Sequence, residues 1–361
     1  MSRAELPPLN IGAYSVKKPI FQGGMSIGIS GAELATAATK AEGIGTIGGV
    51  GLGHGIKEYA HLPFFKANRQ ALLDELHKAK EIDPNGVWGV NLLAAIKGYD
   101  ALVRTALKGG AKFIVSGAGL PLNLPELTKD YPEVALIPIV SSAQGVRVIT
   151  KWWLRHYERQ PDAIIIEEPS TAGGHLGVTS SQTIYDSDLL LVNAIPESRK
   201  WLDDHDYNIP IIAAGGIYDR SDIDRMLALG AKGIQMGTRF VCTHESGASE
   251  EFKQKYLNAK EEDIVLVESP VGIPGRAIRT EFSQEIERGE RPKYKCAANC
   301  LEVCNFRSTK GDKAYCIMDA LHNSRVGNSK EGIVFAGSNA YRSKEQGIVS
   351  VRQIFDELTA K

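Results

Sequence analysis

The chain has 361 residues, 43% of them hydrophobic and 24% charged, the balance of an ordinary globular protein. Its formal net charge is -1, with no basic stripe interleaved with aromatics, which excludes a nucleic-acid or anionic-membrane surface as its main feature. No apolar run approaches the roughly 18 residues of a membrane span, and the N-terminal residues lack the apolar core of a secretory signal, so the expectation is a cytoplasmic protein.

Eight short, almost continuously apolar runs alternate with helical patterns. Run 19–22 comes first, followed by a helix over 30–42 that puts Leu34, Ala38 and Ala41 on one face. Run 43–47 precedes a helix over 65–80, and run 87–91 a helix over 99–108. Runs 112–115 and 135–140 follow, then a helix over 146–156. Run 163–167 leads to a helix over 189–203, run 210–213 to a helix over 221–229 with Ser221–Asp222 as its cap, and run 233–236 ends the series. Runs this short and apolar suit strands buried on both faces. Alternation with helices implies parallel pairing through crossovers. The predicted fold class is therefore α/β, a (β/α)8 TIM barrel over residues 19–240 behind an N-terminal extension at 1–18. An open Rossmann-type sheet is the alternative. Residues 241–361 predict a C-terminal elaboration packed on the barrel. It holds a polar helix over 249–260, a Gly/Pro loop at 270–274, a charged run at 285–295, a cysteine-rich segment and an amphipathic helix over 350–358.

Barrel enzymes bind ligands at the C-terminal ends of their strands, and phosphate sites form after strands seven and eight. Gly215-Gly216 and Gly237-Thr238 stand there, where backbone N–H groups approach a phosphate closely. After strand six, the pair Gly173-Gly174 presents His175 for acid–base work. His54, after strand two, is a weaker candidate. Gly24 and Met25 follow strand one and offer backbone and a soft apolar contact to a planar ring; Asn91 ends strand three with an amide that donates and accepts. Residues 48–55 do not fit G-x-G-x-x-G, because the position that needs glycine is His54. No phosphate-binding P-loop, H-E-x-x-H or G-x-S-x-G occurs either.

In order along residues 19 to about 282, the motifs PIFQGGM, GVNLL, EPSTAGGHLG, IPIIAAGGI and GAKGIQMGTRF resemble the nitronate monooxygenases, formerly 2-nitropropane dioxygenases. Their superfamily includes flavin-dependent enoyl-acyl-carrier-protein (enoyl-ACP) reductases and some NAD(P)H:quinone reductases. The resemblance implies an FMN-dependent oxidoreductase of barrel fold. By motif, Gly24, Met25 and Asn91 would meet the flavin ring, and Glu168, Gly173 and Gly174 its ribityl side and ring. Gly215, Gly216, Gly237 and Thr238 would hold the phosphate, and His175 would match the active-site histidine. Thr171 stands where many members carry an acidic residue. The implied activity is oxidation of alkyl nitronates with O2 to carbonyl compounds and nitrite. The alternative is NAD(P)H-dependent reduction of a quinone or an enoyl-ACP, for which Arg288, Arg291, Lys293 and Lys295 offer a basic patch. A non-catalytic flavin- or phosphate-ligand barrel and an inosine-phosphate-dehydrogenase-like barrel are further readings, the last disfavoured because no cysteine stands in the strand-six loop. A homodimer is compatible with such a barrel.

Cys296, Cys300 and Cys304 recur every four residues, which predicts one helix face, and Cys316 follows. Four thiolates suit zinc or an iron–sulfur cluster, but C-x-x-C is missing, so thiol packing or a redox disulfide is expected and a metal is not. Cys242 reads as a small buried apolar residue.

Overall fold

In the computed structural model, which describes residues 4–290, 296, 298–305 and 315–360, eight parallel strands close into one barrel. They are β1 (Ile20–Gln22), β2 (Ile44–Gly48), β3 (Trp88–Leu93), β4 (Phe113–Gly117), β5 (Ala135–Val140), β6 (Ile164–Glu167), β7 (Ile211–Ala214) and β8 (Gly233–Met236). Each coincides with one of the eight apolar runs to within two residues at either end. Ile234 of β8 pairs with Ile20 of β1 and closes the ring.

The unbroken apolar character of the runs has a direct cause. On β6, Ile165 faces the barrel interior with Ala163, while Ile164 and Ile166 pack outward on the helices. On β7, Ile212 and Ala214 face in while Ile211 and Ala213 face out. Both faces are dry, so neither tolerates the polar alternation of a one-sided sheet. Inside, Phe113 meets the edge of Phe21 at 5.9 Å between ring centroids. A hairpin of Leu9–Ile11 and Tyr14–Val16 closes the N-terminal end, where Leu9, Ile11 and Val16 join the interior cluster. The residues that precede β1 are thus a plug for the barrel floor.

The chain's last helix, Val351–Thr359, packs against Ala32–Lys40 and Arg220–Ala228, the helices that follow β1 and β7. It occupies the eighth place in the outer ring, because only the short helix Thr238–Val241 follows β8 directly. The stretch from 242 to 350 is therefore inserted between the last strand and the last helix of the barrel, and residues 241–361 do not lie wholly outside it. That insertion carries an antiparallel sheet of β9 (Ile264–Val267), β10 (Gly275–Ile278) and β11 (Val334–Phe335), with β10 in the middle. Gly174 and His175, from the loop after β6, pair with Arg276 and Gly275 of β10.

Two local expectations are corrected. The cap of helix Arg220–Ala228 is Asp219, whose side chain accepts from the backbone N–H groups of Ser221 and Asp222. Asp222 is the third residue of that helix and returns the bond to Asp219 N. Among its described residues, the segment carrying Cys296, Cys300 and Cys304 is not helical. Its backbone bonds sideways instead: Lys97 N donates to Cys300 O at 2.8 Å, Glu302 N to Ala95 O at 3.2 Å, and Asn305 N to Pro270 O at 2.8 Å. These partners take the groups that a helix would have used internally. Among the described residues no helix is long and apolar enough to cross a membrane.

Candidate functional site

A cavity of about 420 Å3 opens at the C-terminal ends of the strands, a size that suits a cofactor or small-molecule ligand. Gly24 and Met25 after β1, Asn91 on β3, and Gly173, Gly174 and His175 after β6 all line it. So do Gly215 and Gly216 after β7, and Gly237 and Thr238 after β8. Glu168 does not. It follows the end of β6 and turns to the next helix, Leu191–Asp204, where Oε2 accepts from Leu191 N at 2.8 Å and Oε1 accepts from the Ser170 hydroxyl. Glu167, one residue earlier, continues the inward series of Ala163 and Ile165 and lines the cavity. The cavity-facing carboxylate is thus Glu167, and Glu168 is a helix anchor. Glu168→Ala is expected to cost about 1 kcal/mol of stability, as loss of a helix cap does, with FMN affinity unchanged. Thermal melts and a flavin titration measure the two effects.

One end of the cavity is built from backbone. Gly215 and Gly216 have φ of +94° and +68°, in the left-handed region. Residues 336–339 of the insertion close this end from above. Gly337 N donates to Thr238 Oγ1 at 3.0 Å, Ser338 N to Thr171 O at 3.0 Å, and Asn339 Nδ2 to Gly216 O at 2.7 Å. Among the described lining residues there is no lysine or arginine. The nearest candidate by sequence, Arg239, stacks on the Tyr218 ring and pairs with Glu357. An anion here would be held by N–H and hydroxyl groups, as in other glycine-built anion sites. The sequence reading missed Gly337, Ser338 and Asn339; their small, polar run between Phe335 and Tyr341 was the available signal.

His175 marks another wall. Its Nε2 lies 2.7 Å from Ser269 Oγ, and its ring meets the edge of Phe335 at 5.1 Å. Arg276, itself buried, donates through Nη1 to the carbonyls of Pro169 and Ala172 and so braces the loop that ends in His175. Burial pushes the His175 imidazole down to about 4 and the Glu167 carboxyl up to about 7. Both side chains remain partly open to the cavity, so these neutral forms persist only while the cavity excludes bulk water. Two polar atoms of lining residues, Asn91 Oδ1 and Gln235 Oε1, are buried without a protein hydrogen bond. Asn91 Nδ2 meanwhile donates to Gly24 O at 3.1 Å. Farther out the wall is apolar, with Leu93, Leu120, Ile273, Met318 and Leu321.

Other candidates lie elsewhere. His54 is off the cavity and pairs through Nε2 with Asp319 Oδ1 at 2.8 Å. Cys242 is fully buried, and burial pushes its thiol up to about 12. Cys296, Cys300, Cys304 and Cys316 line a small cavity of about 10 Å3 together with Tyr315, and Cys300 lines the large cavity as well. Among the described residues no three His, Cys, Asp or Glu side chains are gathered as a metal site. Arg288 pairs with Glu290 at 2.6 Å; Arg291, Lys293 and Lys295 lie outside the described residues.

The chain is 28% identical over 315 residues to a probable nitronate monooxygenase of Staphylococcus saprophyticus, covering 78% of this chain and 82% of that protein. It is 26% identical over 287 residues to a Mycobacterium tuberculosis protein named (3aS,4S,5R,7aS)-5-hydroxy-7a-methyl-1-oxo-octahydro-1H-indene-4-carboxyl-CoA dehydrogenase, covering 78% and 69%. FabK from Thermotoga maritima superposes with a TM-score of 0.72 at 25% identity over 95% of this chain and 92% of its own. Nitroalkane oxidase from Streptomyces ansochromogenes superposes with a TM-score of 0.71 at 18% identity over 95% of each chain, a likeness of fold. A family model described as nitronate monooxygenase matches residues 8–361, and the chain belongs to that family of oxidoreductases.

Proposed function

We propose that the cavity holds FMN and that the protein oxidises alkyl nitronates with O2, yielding a carbonyl compound and nitrite. The observation that carries this reading is the joining, in one cavity, of an anion cradle without cations and a neutral histidine. FMN fits the residues present. Its phosphate suits the glycine-built end at Gly215, Gly216 and Gly237, beside the Thr238 hydroxyl. Its ring, with polar edges, suits the partnerless Asn91 Oδ1 and Gln235 Oε1. At Gly24, moreover, an added Cβ would stand 2.5 Å from Asn91 Cβ, so a side chain there would displace the amide.

When bound, FMN supplies the electron acceptor and the site where O2 is reduced. The chain's own residues do the rest. His175, neutral at pH 7, takes the α-proton when the substrate enters as the nitroalkane, producing the nitronate inside the cavity. Ser269 holds the ring in place, and Arg276 holds the loop that carries it. Phe335, edge-on to the His175 ring, covers one side of it. The apolar outer wall accommodates the alkyl chain.

That same wall favours a second reading, NAD(P)H-dependent reduction of a quinone or an enoyl thioester, because it also suits a long acyl chain. Anaerobic mixing separates the two. Bleaching of the flavin bands by a propyl nitronate but not by NADH is the expected result. Bleaching by NADH alone transfers the proposal to the reductase, and a colourless protein that takes up no FMN overturns both.

A further inference from the structure

The loop that carries His175 leaves β6 and crosses to the inserted sheet. Along one edge of β10, Val334 and Phe335 pair with Ile278 and Ala277, and Gly174 and His175 pair with Arg276 and Gly275. The two short partners lie end to end, and Arg276 stands at their junction. Its backbone O accepts from Ala336 N at 3.1 Å. The loops that meet there also pack on each other. A Cβ on Gly173 would stand 2.5 Å from Gly337 N, and Ser338 N donates to Thr171 O at 3.0 Å.

The Arg276 side chain closes the same joint. It is 5% exposed, and Nη1 donates both to Pro169 O, at 3.0 Å, and to Ala172 O. Neither carbonyl has another hydrogen bond among the described residues, so each depends on the guanidinium for the donor that a buried carbonyl requires. The group is planar, permanently charged and rigid in its donor geometry, so one bridge fixes two points of the loop against β10. Beyond those points the loop has little stiffness of its own. Gly173 and Gly174 precede the histidine, and Gly174 has φ of +70°. We infer that Arg276 is a positioning residue for proton removal: by bridging Pro169 O and Ala172 O it sets where the loop delivers the His175 imidazole. Arg276 does not line the cavity, so it acts through that loop and touches neither cofactor nor substrate.

The inference deepens the proposed function and rests on its reading of His175 as the proton-transfer group. From a nitroalkane, the α-proton passes to the imidazole and the C–H electron pair moves onto the nitro group. That step needs the base within hydrogen-bond reach of the proton. A preformed nitronate has already lost the proton and does not make the same demand. A loop displaced by loss of the bridge should therefore harm the two substrates unequally.

Two variants test this, both studied saturated with FMN. Arg276→Met keeps the apolar stem and loses the donors. Arg276→Lys keeps the charge and loses the planar fork. In Arg276→Met, kcat for the nitroalkane is expected to fall ~10–10²-fold, the scale of a base misplaced by about 1 Å, with KM little changed and turnover of a preformed propyl nitronate nearly retained. Arg276→Lys is expected to fall between Met and wild type. Equal losses on both substrates signal general damage and overturn the inference. A lysine variant that matches wild type overturns it too, because charge alone then suffices. A readout without substrate comes from the 1H–13C correlation spectrum of protein labelled with 13C-histidine, with His175→Gln assigning the signal. Wild-type His175 is expected to titrate below the ordinary histidine range, and in Arg276→Met the loosened loop admits water and moves the midpoint up toward that range. An unmoved midpoint overturns the inference. Should Arg276→Met not fold, the wild type still decides. Its Arg276 Nη1 protons are expected to exchange slowly with solvent, and exchange as fast as that of exposed arginines overturns the bridge. A midpoint that moves in a protein that turns over no nitro compound rejects the proposed function and keeps the role of Arg276.

Discussion

Replacing His175 with alanine is expected to lower nitroalkane turnover by ~10²–10⁴-fold, the range that a general acid–base group supplies, while the fold and bound FMN survive. The fold survives because the loop is held by its backbone pairing to β10 and by Arg276, neither of which uses the imidazole. FMN survives because the anion cradle stands on β7, β8 and residues 336–339. The pH dependence follows from the direction of the shift. Burial holds the His175 imidazole near 4, so the basic form is present above that value and is lost as pH falls through it. The acid limb of kcat/KM for a neutral nitroalkane is therefore expected below the ordinary histidine range, and the alanine variant should lose that limb. Stability carries the same sign. Between the unfolded value near 6.5 and the folded value near 4, acidification protonates the unfolded chain and not the folded one, which destabilises the fold. Above the unfolded value neither state is protonated and the effect is absent. Wild-type turnover in the variant would remove His175 from the mechanism.

The barrel was legible because its signal is local. Each stave is a short run buried on both faces, as at 163–167, and such a run announces itself without knowledge of its neighbours. The glycine turns and His175 were legible for a related reason: they sit at the C-terminal ends of those runs, and the strand order locates them. What the sequence did not reveal was set by the insertion. Ser269, Arg276 and residues 337–339 contact the loops around the cavity across separations of 94 residues or more, and no periodicity encodes such contacts. The choice between Glu167 and Glu168 turned on a single residue of register, which depends on where β6 ends. The cysteine spacing mimicked a helix because a four-residue interval is helical by count. The backbone instead bonded to the loops at 95–97 and at 270. The last helix was legible as a helix, but its place in the barrel ring required the structure.

Gly216→Val is expected to weaken FMN binding by at least ~10-fold, because holding a non-glycine residue in a sparsely populated backbone region costs about 1–3 kcal/mol. Two independent observations make the position intolerant. Its φ of +68° lies in the region that β-branched residues avoid. A Cβ there would also stand 2.9 Å from both Cβ and Oγ1 of Thr171, too close to leave that residue where it is. Relief requires the turn to flip or Thr171 to move, and both disturb the same end of the cavity. Thr171 O accepts from Ser338 N, and Gly216 O accepts from Asn339 Nδ2, so the strain passes directly into the loop of the insertion that closes the cradle. The barrel itself should remain folded, since Gly216 lies beyond the end of β7 and outside both hydrophobic clusters of the barrel. A titration of apoprotein with FMN, followed by quenching of flavin fluorescence, measures the affinity, and far-ultraviolet circular dichroism checks the fold. Unchanged affinity in a folded variant would show that the phosphate is held elsewhere, and would move the cofactor's orientation in the cavity. Asn339→Ala supplies the companion measurement: it removes the bond to Gly216 O without straining the turn. A loss of affinity there, smaller than for Gly216→Val, is expected if the insertion acts by holding the glycine turn in place.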